Sequence, residues 1–213
     1  MKRGYTKIVL IVDRSGSMST IMLDMVGGLN SYIQRQRELN VGECKISVYK
    51  FDDIYDVVFE NRDISIVPLL TPSDFLPRGT TALLDAVGRT IDSLGVELSN
   101  TNEELRPDRV LFVIITDGIE NASKTFSNEQ IFEKIKHQKE VYSWDFVYIG
   151  ANQDAWSVGT GMAIAGGSTL NYVASPEGVA NMFDTLDIST TCYRTALDCH
   201  PDSFFKTNVN DNK

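Results

Sequence analysis

Three short segments carry side chains whose types and spacing could do chemistry. The first is Asp13-Arg14-Ser15-Gly16-Ser17, in which a carboxylate and two hydroxyls occupy alternate positions. Alternate residues of a short extended loop can converge on one point, Gly16 permits a tight turn between the serines, and Met18 can anchor that turn in a core. Carboxylate and hydroxyl oxygens suit a hard divalent cation such as Mg²⁺ or Mn²⁺, which takes about six oxygen neighbours at roughly 2.0–2.2 Å and often keeps waters. Thiolate or imidazole donors would favour zinc, and none is nearby in sequence. Asp and Ser also cap helices through ordinary hydrogen bonds, so this segment alone has two readings. The second segment, Thr80-Thr81, and the third, Asp117-Gly118, weigh on the metal side if the fold brings them to the first.

The elements that must position these residues follow from apolar patterning. Lys7 to Val12 is an almost unbroken apolar run, expected of a central strand covered on both faces, and it stops at Asp13. Met22, Met25, Val26, Leu29 and Ile33 recur at helical spacing and predict a helix from about Ser19 to Glu38. Lys45–Phe51 and Tyr55–Phe59 read as two strands of a hairpin turning at Asp52-Asp53. A loop marked by Pro68, Pro72, Pro77 and Gly79 leads through Thr80-Thr81 into a helix with Ala82, Leu83, Ala86, Val87, Ile91 and Leu94 on one face. The first amides of that helix are unpaired. Residues 95–108 read as polar and solvent-exposed. Arg109–Thr116 is the strongest strand signal, and it again stops at an aspartate, Asp117.

Ser127 and Gln130 form a capping-box pattern before a helix with Ile131, Phe132 and Ile135 on its apolar face; Lys134, Lys136, His137 and Lys139 read as its solvated side. Phe146–Ile149 is a further strand, ending at GANQD. The glycines between Gly159 and Gly167 have the wrong spacing for a dinucleotide fingerprint. A last helix is expected from Pro176 to about Ala196, with a frayed tail beyond. The expected fold is α/β: an open, mostly parallel, doubly wound sheet with helices on both faces and one antiparallel edge hairpin. Ligands of such sheets meet the carboxyl ends of the strands, where Asp13 and Asp117 should stand.

At 213 residues the chain is expected to form a single domain over residues 1–200, with 150–200 a C-terminal elaboration and 201–213 a flexible tail. Its 42% apolar and 23% charged residues are those of a globular protein. Twenty basic against 29 acidic residues give a net charge of −9, which argues against a nucleic-acid partner. No apolar run is long enough for a signal peptide or a membrane span, so no membrane partner is expected. Cys44, Cys192 and Cys199 lack zinc-site spacing and favour a reducing, cytoplasmic location; His137 and His200 are the only histidines.

Taken together, DRSGSM, GTTALLDA and IITDG resemble the metal-ion-dependent adhesion motif of the von Willebrand factor type A domains over most of residues 5–150. GANQDAW and the last helix resemble a bacterial and phage-associated intracellular branch of that family. The resemblance implies a Rossmann-like fold and a metal site of Asp13, Ser15, Ser17, Thr81 and Asp117. Thr81 is chosen for its spacing to Ala86, with Thr80 the alternative if the loop register differs by one. The family pattern further implies that Ser15 and Ser17 bind the ion directly, that Asp13 and Asp117 act largely through water, and that Thr81 joins directly or through water. The implied cofactor is Mg²⁺, with Mn²⁺ or Ca²⁺ as alternatives, and the implied partner is a protein presenting Asp or Glu to the ion.

Other functions fit less of the sequence. A metal-dependent hydrolase or phosphatase needs an acid or base beyond the metal ligands, and no carboxylate or histidine is motif-linked to the site. Ser17 lacks the glycine-serine-glycine setting of a hydrolase elbow, and no Walker motif is present. A structural module of a larger assembly is the remaining alternative. Arg14 could steer an acidic ligand, but the first expectation is that it projects into solvent or pairs with a surface carboxylate.

Overall fold

The computed structural model describes residues 1–151, 153–195 and 201–205. β1 (Lys2–Asp13) lies at the centre of a six-stranded sheet with β2 (Glu43–Phe51) and β4 (Pro107–Thr116) as its parallel neighbours. The sheet order is β3-β2-β1-β4-β5-β6, with β3 (Tyr55–Asp63), β5 (Trp144–Ala151) and β6 (Thr169–Tyr172) completing it. Only β3 runs antiparallel, against β2, as the edge hairpin predicts. The connections lead outward from β1 to β2 on one side and from β4 to β5 on the other. The strand order therefore reverses between β1 and β4, and a crevice opens at their carboxyl ends.

Burial on both faces explains the apolar runs. Ile8, Leu10 and Val12 of β1 face a layer made by α1 (Met22–Glu38) and α5 (Pro176–Thr195), while Val9 and Ile11 face α2 (Leu83–Ser99) and α3 (Asn128–Tyr142). Each of these side chains contributes about 1.5–3 kcal/mol by leaving water. Lys7 is also fully buried in β1, where its ammonium pairs with Glu97 and donates to Asn61 Oδ1 at 3.1 Å.

Several boundaries differ from the sequence expectation. β1 begins at Lys2, because its exposed first residues extend the pairing to Pro107 of β4 without needing apolar side chains. A 3-10 turn, Gly16–Thr20, precedes α1 and delays its start to Met22; Met18 in that turn is wholly buried. α2 continues through Ser99, since Leu98 packs against the core of that face, so residues 95–99 are helical rather than loop. The capping box of Ser127 and Gln130 is formed in both directions, and Ile131 and Ile135 are buried, but Phe132 is only partly covered. On the other side of α3, Lys134 pairs with Asp92, Lys139 reaches Asp202, and Lys136 is exposed.

Two elements have no counterpart in the sequence reading: α4 (Ala155–Gly161), capped by Asp154, and the four-residue β6. GANQDAW spans the end of β5 and the start of α4, and Asn152 within it lies outside the described residues. Ala196, Cys199 and His200 also lie outside them, as do residues 206–213 of the expected tail. Phe204 and Phe205 are buried and pack edge to face, so the chain is held against the core to residue 205. No helix among the described residues is long and apolar enough to cross a membrane.

The two rims of the sheet are unlike its centre. β3 pairs with β2 through two register shifts and carries Asp56, Glu60, Arg62 and Asp63, while β6 pairs over four residues.

Candidate metal centre

Val12 of β1 sits beside Ile115 of β4, so the next residues, Asp13 and Thr116, end neighbouring strands at the crevice. Asp13 is fully buried. Its Oδ1 accepts from the Ser15 amide at 2.6 Å, and its Oδ2 accepts from the Thr116 hydroxyl at 2.5 Å. The Ser15 amide bond folds the loop back on the strand end and aims the following hydroxyls at the same point. Ser15 Oγ and Ser17 Oγ lie 3.0 Å apart, and Ser17 Oγ donates to Asp117 Oδ1 at 2.6 Å. Two residues beyond β4, Gly118 packs so closely that a β-carbon there would lie 2.5 Å from Thr81 Oγ1 and 3.1 Å from Asp13 Oδ2. Thr81 is thereby placed at the cluster and is buried, whereas Thr80 is exposed. The fold thus brings Asp13, Ser15, Ser17, Thr81 and Asp117 together from three distant segments.

Residues that the sequence reading did not single out hold these loops. Asn121 accepts from the Thr81 amide at 2.9 Å and returns its own amide to the Thr81 carbonyl at 3.0 Å. Glu120 accepts from the amides of Leu84, Ala122 and Ser123, capping α2 from the neighbouring loop. In exchange, Asp85 in the first turn of α2 accepts from the amides of Lys124, Thr125 and Phe126. Reciprocal carboxylate bonds of this kind fix two loops that share no strand pairing. Thr116 was visible as the residue before Asp117, but its role depends on the register of β1 against β4.

Arg14 does not project into solvent, but the expected pairing with a surface carboxylate is formed, to the part-exposed Asp56. It is buried, with Nη2 2.5 Å from Asp56 and Nε 3.1 Å from Asp52, whose side chain is fully covered. Arg78 meets the same Asp52 at 2.6 Å. Both arginines therefore brace the loop after β1 and leave the site carboxylates to themselves.

Asp13 and Asp117 have no ion-pair partner among the described residues. Burial pushes the Asp13 carboxyl up to about 6, against the bonds from Thr116 and Ser15, with a smaller push from the charge of Asp117. Burial likewise raises Asp117, opposed by the Ser17 bond. The Tyr172 hydroxyl is buried without a hydrogen-bond partner among the described residues, and its proton is held more tightly by burial and by the charges of Asp117 and Asp13. Two desolvated anions beside three hydroxyls form a donor set that a hard dication fits. No three His, Cys, Asp or Glu side chains gather as a metal group among the described residues, so a cation here must draw on the hydroxyls.

The close approach at Gly118 makes a specific prediction. Gly118→Ala should displace Thr81 and weaken divalent-cation binding by about tenfold or more, a loss typical of disturbing ligand-orienting groups. Calorimetric titration beside a thermal melt separates this loss from unfolding.

No family model and no curated protein sequence matches the chain. Solved structures do match in fold. The von Willebrand factor domain of the type V pili tip protein Mfa5 from Porphyromonas gingivalis superposes with a TM-score of 0.66 at 7% identity, over 92% of this chain and 98% of that one. A von Willebrand factor type A protein from Catenulispora acidiphila gives 0.56 at 12% identity, over 88% of this chain and 43% of its own. Proximal thread matrix protein 1 of the mussel byssus gives 0.59 at 15% identity, over 88% and 46%, and another of its structures has zinc in its adhesion motif. The chain spans less than half the length of the latter two proteins. Its fold is that of the von Willebrand factor type A domains.

Proposed function

We propose that the chain binds a divalent cation through Asp13, Ser15, Ser17, Thr81 and Asp117, and through that cation captures an Asp or Glu carboxylate of a partner protein. The observation that carries this reading is the pair of buried carboxylates, without a cationic partner among the described residues, in contact with hydroxyls at the sheet's reversal point. The zinc held by the adhesion motif of the mussel protein supports divalent binding in this fold. An all-oxygen donor set shifts the preference to Mg²⁺, with Mn²⁺ or Ca²⁺ next.

Two aspartates balance the charge of a dication, and the neutral hydroxyls leave it electrophilic. The cation supplies a coordination position that a partner carboxylate can take in place of water. Asp13 and Asp117 hold Ser15 and Ser17 in place by hydrogen bonds, and Thr81 is set by Asn121. A cytoplasmic setting belongs to the same reading and is supported by the free thiols of Cys44 and Cys192.

Partner capture from a lysate of the source cell should be retained in Mg²⁺ and lost in EDTA and in Ser15→Ala. Capture unchanged by both would refute the metal-mediated reading.

A further inference from the structure

β4 separates two ends of the molecule by about 30 Å, ten residues at roughly 3.3 Å each. The metal centre lies at its carboxyl end. At its amino end, the last turns of α2 and α3 and the first residues of β4 and β5 border a half-open cavity of about 360 Å³. That volume is at the lower end of the range for small-molecule sites, about 300–1,000 Å³.

Leu98, Pro107, Val110 and Trp144 give the cavity an apolar wall, and Trp144 is held by stacking on Phe146. Its polar groups are unusual. One carboxylate oxygen of Asp108 accepts from the Gly4 amide at 2.8 Å, but Asp108 Oδ1 is buried with no donor among the described residues. Gln138 Oε1, on the same lining, is also buried without a partner among the described residues. A buried carboxylate oxygen left unmatched is costly, and native proteins keep few such atoms without a ligand, water or ion to complete them. The Gln138 amide can present either end and so adapts to a ligand, whereas ionised Asp108 can only accept.

The unmatched acceptors select the ligand further. Glu103 and Asp108 line the cavity together with Arg106, whose guanidinium already donates to the carbonyls of Thr101 and Ser99, and with Met1, which is largely exposed to water. His137 is turned edge-on to Tyr142. The open acceptor of Asp108 therefore favours a positive group that donates hydrogen bonds, carried on a flat apolar body that can lie along Trp144.

We propose that this cavity is a second ligand site, for a small amphipathic organic cation whose charged N–H group donates to Asp108 while its apolar body packs on Trp144, Val110 and Leu98. The site is independent of the metal centre.

Benzamidine and benzamide provide the test, because they share a size and shape but differ in charge. The chain has two tryptophans, so a Trp156→Phe background leaves Trp144 as the fluorescent reporter inside the cavity. Benzamidine should change that fluorescence saturably, unaltered by EDTA, and benzamide should bind about tenfold or more weakly, the equivalent of one charge-assisted hydrogen bond. Asp108→Asn should abolish the difference between the probes. Equal titration by the two probes, a preference that survives in Asp108→Asn, or no saturable response to benzamidine would each overturn the proposal. The comparison of probes on the Asp108-containing protein decides the matter even if Asp108→Asn folds poorly.

Discussion

Asp13→Asn is expected to weaken divalent-cation binding by about 100-fold while leaving the metal-free fold at least as stable as the parent. Asparagine keeps the size of the side chain and one acceptor, but it removes a charge buried at the reversal point of the sheet. In the metal-free protein that charge is a burden: folding raises the Asp13 carboxyl from its ordinary 3.8 to about 6. The folded state then binds this proton more tightly than the unfolded chain. Its contribution to stability is fully present below pH 4 and is lost as pH rises through 6. The neutral amide escapes the loss, and a bound dication offsets it. Cation affinity should accordingly fall as pH is lowered through 6, where the proton competes for Asp13. Calorimetry with Mg²⁺ and Mn²⁺, together with melts in EDTA at pH 5 and pH 7.5, reads both halves of the expectation. Undiminished affinity in Asp13→Asn would remove Asp13 from the site.

Glu97→Ala is expected to destabilise the fold by about 2–4 kcal/mol, somewhat below the cost of breaking a fully buried ion pair because the Glu97 side chain is 27% exposed. Lys7 sits in the central strand with its side chain fully covered, and burial lowers the affinity of its ammonium for a proton against the support of Glu97. Without Glu97 the Asn61 oxygen is the one hydrogen-bond acceptor left to that ammonium among the described residues. Lys7→Met, by contrast, replaces the charge with an apolar chain of similar length and should be neutral or stabilising. Denaturant melts of the two variants should move in opposite directions or differ widely. Equal destabilisation would show that Lys7 matters through packing rather than charge.

The strand ends were legible because physics writes them locally. A strand covered on both faces must be apolar, and a run that stops at an aspartate marks where the chain leaves the core, as at Val12-Asp13 and Thr116-Asp117. The helical faces of α1 and α2 were legible for the same reason. What escaped was written non-locally. Glu120 and Asp85 are ordinary acidic residues until the fold places each against the amides of the other's loop, about 40 residues away. Arg14 looked like a surface charge because Asp52 and Asp56 reach it only through the β2–β3 hairpin. β6 is four residues long with mixed burial, so neither an apolar run nor a clean alternation announces it. Lys2 to Thr6 lack an apolar run because the first three of these residues are exposed in β1.

The unlike rims of the sheet bear on self-association. An unpaired strand edge offers its amides and carbonyls to any passing extended segment, which is the route to edge-to-edge aggregation. In β3 the two register shifts bend that template and four charged residues crowd it, so an incoming strand would meet an irregular ladder and desolvate charges. At the opposite rim β6 gives only four residues of template, too short for a stable intermolecular ladder. The sheet therefore stops growing at both sides, and the molecule can keep a strongly apolar centre without recruiting copies of itself into fibres.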